Sequence, residues 1–165
     1  MIFKSKKPMT FERLMSRSFG KESSSFWPLS PSPRGLTLDD VQKYLDEGGD
    51  ANARTANQQT LLHIAADNGE TDIVRLLLTY GADINAKGYY GYTALHLAVD
   101  SDIDAPIQSG RAVTELPVAR LLIESGADES IRAENGETPR EIAVAYGNKL
   151  VALYDAIPRT QSTHS

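Results

Sequence analysis

Apolar residues in this chain come in short dense blocks, most of them closed by a glycine. The clearest run is 57–86, NQQTLLHIAADNGETDIVRLLLTYGADINA. Leu61, Leu62, Ile64, Ala65 and Ala66 are apolar nearly all round, which predicts a short helix from Thr60 to Asn68 buried between neighbours. The Thr60 hydroxyl suits its N-cap, because it can accept from a backbone N–H that the first turn leaves unpaired. Asn68-Gly69 breaks the helix. Thr71 or Asp72 opens a second one, with Ile73, Val74, Leu76, Leu77 and Leu78 on a wide apolar stripe, and Gly81 stops it. Ala82 to Gly91 then reads as an extended hairpin leading to the next helix.

The same stations return elsewhere. Shifted by 33, Thr60, Leu62, His63 and Ala65 become Thr93, Leu95, His96 and Ala98. Shifted back by 33, Gly81, Asp83, Asn85 and Ala86 become Gly48, Asp50, Asn52 and Ala53. Shifted forward by 45, Gly81-Ala82-Asp83 becomes Gly126-Ala127-Asp128, and Thr93 becomes Thr138. Neither helix of a unit can bury its apolar face alone, so the units must stack, each touching only its neighbours. The stations T-x-L-H-x-A, a glycine after the first helix, a hydrophobic second helix and G-A-D-x-N-A resemble the ankyrin repeat. The resemblance covers about Leu36 to Pro158, roughly three-quarters of the chain. It implies an all-α solenoid of about three and a half stacked helix–turn–helix units with short β-hairpin fingers.

The units differ in completeness. In the first, Thr37-Leu38-Asp39-Asp40 reads as a helix start, with acids where the helix dipole favours them. The other helix of that unit would fall at Trp27 to Gly35, where three prolines forbid it. The third unit, 90–131, carries about twelve extra residues between Asp100 and Glu115, expected as a surface loop. The loop suits a partner contact or simple drift in length; both readings stand. In the fourth unit Leu-His is replaced by Arg140-Glu141, which suits an end unit facing water. Residues 159–165 read as a polar tail.

Residues 1–35 stand outside the repeat as a basic, partly disordered N-terminal arm or cap. Thr10 can cap a helix, TFERLMSRSF, with Phe11, Leu14, Met15 and Phe19 on one face, and KESSSFWPLSPSPRG follows as a loop. Either the Phe11 face or Phe26-Trp27 covers the open end of the array, or the arm is a targeting segment. Charge is split along the chain: residues 1–35 hold seven Lys/Arg against two acids, a net of +5, and residues 36–165 hold ten against twenty, a net of −10. An acidic array argues against nucleic acid as ligand and favours a protein partner with a basic surface. There are no cysteines, which excludes thiolate chemistry and suits a cytoplasmic location. No apolar run reaches the ~18 residues of a membrane span, so no stable membrane insertion is expected. The lysine-bearing N-terminus lacks the apolar core of a secretion signal.

No catalytic set emerges, so no enzyme activity, cofactor or metal is expected. His63 and His96 would need a third ligand to hold a metal; the resemblance makes them structural, bonding backbone across the turn between units. Asp50, Asp83 and Asp128 repeat at turns, where aspartate stabilises local backbone, and Asn52 and Asn85 follow the same logic, with Ser130 in their place later. Gly48-Gly49 follows a helix and is no phosphate loop. The pairs Asp39-Asp40 and Asp102/Asp104 lie in no evidently desolvated setting.

What remains is surface. The resemblance implies that finger tips and the exposed side of the first helices line a concave protein-binding groove. Carried over by position, the tips are Arg54 to Gln59, Lys87 to Tyr92 and Arg132 to Glu137, with Arg54, Asn57, Lys87, Tyr89, Tyr90, Tyr92, Arg132 and Glu134 as the candidate contacts. The helix ends supply Asp67-Asn68 and Asp100-Ser101. The three tyrosines stand out, because tyrosine offers large contact area at low entropic cost. Alternatively one packs back on Arg54 or Arg132 as a cation–π pair. The expected function is sequestration or inhibition of one protein partner by a chain that is a monomer on its own; the alternative is an adaptor or secreted effector addressed by its basic arm.

Overall fold

The computed structural model describes residues 8–19 and 35–159. Among these, eight α-helices follow one another: α1 (Phe11–Phe19), α2 (Leu38–Asp46), α3 (Leu61–Asp67), α4 (Thr71–Thr79), α5 (Ala94–Gln108), α6 (Pro117–Glu124), α7 (Pro139–Tyr146) and α8 (Asn148–Asp155). They stack as two rows. First helices α3, α5 and α7 pack in sequence on one side, and second helices α2, α4 and α6 on the other. Within a unit, α3 packs on α4, α5 on α6 and α7 on α8. Helices α3 and α5 of the first row are largely buried, as their apolar pattern demands: Leu61, Leu62, Ile64, Ala65 and Ala66 of α3 and Leu95, Ala98 and Val99 of α5 are at most 1% exposed. One continuous core runs from Met9 to Ile157.

The fingers are tighter than extended hairpins. Among the described residues there is no strand, only an isolated antiparallel bridge between Arg54 and Thr60. Each finger is closed across its base by a backbone bond, Thr55 N–H to the Gln59 carbonyl (2.8 Å), Gly88 N–H to Tyr92 (2.8 Å) and Ala133 N–H to Glu137 (2.9 Å), with a turn bond inside it from Gln58, Gly91 and Gly136 respectively. In the second finger Tyr89–Gly91 form a 3-10 turn, and Tyr90 takes the left-handed conformation at φ 53°.

The insertion departs from the surface-loop expectation. Helix α5 runs on for 15 residues, through Pro106, against seven in α3. Ile103, one turn beyond Val99 on the same face, is fully buried, and Val113 and Leu116 of the returning segment join the core. Asp102 is also buried at 7% exposure, and this corrects the reading that it lies in no desolvated setting. Its carboxylate accepts the N–H groups of Val118 (3.0 Å) and Ala119 (2.9 Å) at the start of α6. Those amides lack partners within their own helix, and the helix dipole favours an anion there. Burial nevertheless outweighs these bonds and raises Asp102 to about 6.

At the N-terminal end α1 lies antiparallel to α2. Phe11 sits beside Tyr44 (ring centroids 6.3 Å apart), Arg17 pairs with Asp40 (3.4 Å), and the Met9 N–H donates to Glu47. Leu14 is wholly buried. Phe26-Trp27, the other expected cover, lies outside the described residues. At the far end Arg159, read as part of the tail, grips Glu129 with two bonds (3.0 and 2.8 Å) and lies over the Tyr154 ring. Arg140 holds Asp155 likewise (2.8 and 2.6 Å), joining α7 to α8.

Two stability measurements check this packing. Leu14→Ala should cost about 2–5 kcal/mol in urea unfolding, the range for a buried leucine; an unmoved midpoint would mean that α1 is a free arm. Asp102 binds its proton more tightly folded (about 6) than unfolded (3.8), so its contribution is fully present below about 3.8 and lost as pH rises through about 6. Asp102→Asn, which keeps an acceptor for α6, should therefore gain on wild type between pH 4 and 7, by on the order of 2–3 kcal/mol. Taking the difference between the two proteins cancels the histidines, whose effect runs the other way.

Candidate functional site

The fingers are held in a row by three sets of bonds that repeat from unit to unit. Each first helix begins with a reciprocal cap. The Thr60 N–H donates to Nδ1 of His63 (3.2 Å), and the Thr60 hydroxyl lies 2.8 Å from the same nitrogen. The other ring nitrogen, Nε2, meets the Tyr92 carbonyl at 3.1 Å. A carbonyl can only accept, so Nε2 carries the proton and the ring is neutral, with Nδ1 accepting. Burial pushes the imidazole below its ordinary range, in keeping with that state. His96 repeats the arrangement with Thr93 and the Glu137 carbonyl (3.1 Å). In the end unit Glu141 keeps the local half, accepting from the Thr138 N–H (2.7 Å) and hydroxyl (2.8 Å). It has no further finger to reach.

The second set runs through Asn52 and Asn85. Asp50, Asp83 and Asp128 close local turns, each accepting the N–H two residues on. The asparagines do more than the turn role expected of them. Asn52 accepts the Asp83 N–H (2.7 Å), and Asn85 accepts the Asp128 N–H (2.9 Å), one unit away in each case. The third set is cationic. Arg54 donates to the Gln58 and Lys87 carbonyls (2.9 and 2.8 Å), Lys87 to the Arg132 carbonyl (3.0 Å), and Arg132 to the Gly136 carbonyl (2.5 Å) and Glu141.

Within this frame lies a pocket of about 240 Å³. Asn57 and Gln59 of the first finger form one side, Tyr89, Tyr90 and Tyr92 of the second finger another, and Asp67 and Leu97 come from helices α3 and α5. Five residues expected at the groove are thus brought together: Asn57, Asp67, Tyr89, Tyr90 and Tyr92. Tyr89 and Tyr90 are 48% and 56% exposed, with their hydroxyls 2.9 Å and ring centroids 3.9 Å apart. Tyr92 is half-buried and partly structural: its ring stands edge-on to His96 (5.4 Å), and its hydroxyl accepts from Asn135 (3.0 Å). Burial, helped by the neighbouring Asp100 charge, raises Asp67 to about 6.

The remaining expected residues lie around the pocket rather than in it. Arg54, Lys87 and Arg132 are engaged in the finger lattice just described. The Glu134 N–H donates to the Tyr90 carbonyl (2.9 Å). Asn68 is exposed at the end of α3, and Ser101 is half-buried on α5. Asp100 accepts the Tyr146 hydroxyl (2.8 Å). Gln59, at the end of the expected first tip, was not singled out, and Leu97 was not anticipated; the one signal for Leu97 was its place on the less buried side of an inner helix. Among the described residues no group of three or more His, Asp or Glu could hold a metal, and no helix is long and apolar enough to cross a membrane.

Comparison with known families agrees with this geometry. A model described as ankyrin repeats in three copies matches residues 34–107, and a single-repeat ankyrin model matches 90–134. The chain belongs to the ankyrin-repeat family. No curated protein matches it. Ankyrin repeats are in general protein–protein interaction modules and are generally non-catalytic, and no enzymatic family is indicated.

Two outcomes test the site. A Cβ at Gly88 would stand 2.9 Å from His63 Nε2 and from Gln59 Oε1. Gly88→Ala should therefore destabilise by about 1–3 kcal/mol in thermal or urea unfolding, although the glycine's own backbone is unstrained. By carboxyl-detected NMR, Asp67 should titrate near 6, and Asp100→Asn should lower that midpoint by removing a like charge.

Proposed function

We propose that this ankyrin protein binds one protein partner of basic surface in its groove, and by holding it sequesters or inhibits it. The observation that carries this is the pocket at units two and three, where two exposed tyrosines and a half-buried carboxylate meet on an array of net charge −10. Exposed aromatics held on a fixed turn lose little freedom when covered, so they suit the centre of an interface. An acidic surround raises the encounter rate with a basic partner and disfavours polyanions. A monomeric, cytoplasmic protein free of nucleic acid, cofactor and metal is part of this reading.

The addressing alternative rests on residues 1–7 and 20–34, which lie outside the described residues. The helix between them packs on α2, with Arg17 already paired to Asp40, which favours an end cover for that segment over a free basic arm.

Affinity capture with wild type and with Tyr89→Ala/Tyr90→Ala tests the proposal. Tyr92 is left intact because its ring and carbonyl support the histidines. A stoichiometric partner retained by wild type should fall by at least about tenfold with the variant, a loss of about 1.4 kcal/mol or more, at unchanged circular dichroism. Equal recovery of the same partner from both would count against the groove as its site.

A further inference from the structure

The chemistry of the pocket points to one kind of side chain. Its volume, about 240 Å³, falls below the roughly 300–1,000 Å³ of small-molecule sites, and suits a single residue of a docked polypeptide. Its walls are aromatic and apolar: Tyr89, Tyr90, Tyr92 and Leu97. Its charged group is Asp67, and the charge that acts on it is that of a second acid, Asp100. Among the described residues no donor bonds the Asp67 carboxylate, although the residue is half-buried. Gln59, 7% exposed, also lines the pocket, and its Oε1 has no hydrogen-bond partner. Cations near these fingers do not fill the need: Arg54, Lys87 and Arg132 donate to carbonyls and to Glu141. An acidic guest would face two carboxylates. An apolar guest would further desolvate Asp67 with nothing to pair it. A basic guest has a stem for Leu97 and the rings, and a head for the carboxylate and for cation–π contact with the tyrosines.

We propose that the pocket formed by Tyr89, Tyr90, Tyr92, Leu97 and Asp67 is a receptor for one lysine or arginine side chain of the partner. This rests on the binding reading above and names the chemistry of its central contact. Arginine is the better fit of the two, since its planar head stacks on a ring and meets a carboxylate with two donors.

The test uses the full ¹⁵N-labelled chain and pentapeptides with one central residue, arginine, lysine or norleucine, flanked by glycines and blocked at both ends. Norleucine keeps the stem and lacks the charge. Arginine and lysine peptides should give saturable shifts at the amides of Asp67, Tyr89, Tyr90 and Leu97, and norleucine should bind about tenfold more weakly. Asp67→Asn should reduce arginine affinity about tenfold without weakening norleucine, in a protein whose other resonances keep their positions. Equal binding of norleucine, shifts confined to other surfaces, or arginine affinity unaffected by Asp67→Asn would each overturn the proposal.

Two other occupants are distinguishable in the peptide-free protein. If Lys4→Gln/Lys6→Gln/Lys7→Gln moves the pocket resonances, the guest is the chain's own arm. If those resonances broaden as protein concentration rises, the guest is a second copy. Either result removes the partner from the pocket. Loss of captured partner in Tyr89→Ala/Tyr90→Ala without any peptide binding would leave the function standing and sink this site. Peptide binding without that loss would do the reverse.

Discussion

A neutral imidazole, buried and bonded at both nitrogens, carries the connection between one unit of this array and the next. His63 and His96 each close the cap of their own helix with one nitrogen and hold the following finger with the other. A hydrogen bond of this kind contributes about 1 kcal/mol net, but a buried donor or acceptor left alone costs about 1–3 kcal/mol. Losing one partner therefore costs more than the bond itself contributes. The asparagine and cation bonds at the finger bases run in parallel with it. Together they add polar contacts between neighbouring units to the apolar stacking of the helices.

The proposed binding surface depends on that frame. With finger backbones tied to the histidines and to the neighbouring cations, the tips are free to spend their side chains outward. Tyr90 holds a left-handed backbone that costs a bulky residue of order 1–2 kcal/mol, and its carbonyl is fixed by the Glu134 N–H of the next finger. The turn that results sets two tyrosines side by side on the lip of the pocket. Asp67 lies at the end of α3, where the second finger overhangs it, and this explains why its proton is held more tightly than on an open helix end. Rigidity of the tips and burial of the acid therefore share one cause.

The periodic features were legible in the chain. Thr60, Thr93 and Thr138 mark caps, glycines mark helix ends, and apolar stations mark the inner row, because each of these is settled within about four residues of itself. The histidines' role came from the resemblance and is met by the bonds that they make. The insertion was misread because DSDIDAPIQSGRAVTE has the polar, proline- and glycine-bearing content of a loop. What converts it to helix is distant: Ile103 completes the core stripe of α5, and Asp102 meets the amide groups of α6, fifteen or more residues on. Arg54, Lys87 and Arg132 were expected to face a partner, and the bonds they make to neighbouring carbonyls could not be read from the sequence.

Spacing alone was enough to specify helix pairs, their order and their stacking, since a repeated apolar face has nowhere to go but onto its copy. It could not specify which polar side chains the stack consumes. That is settled by distances between residues 29 to 46 positions apart, such as His63 to Tyr92 and Tyr146 to Asp100, which exist only once the units are piled. Polar groups that find a partner there become part of the frame. Those that find none, Asp67 foremost, are left facing the groove.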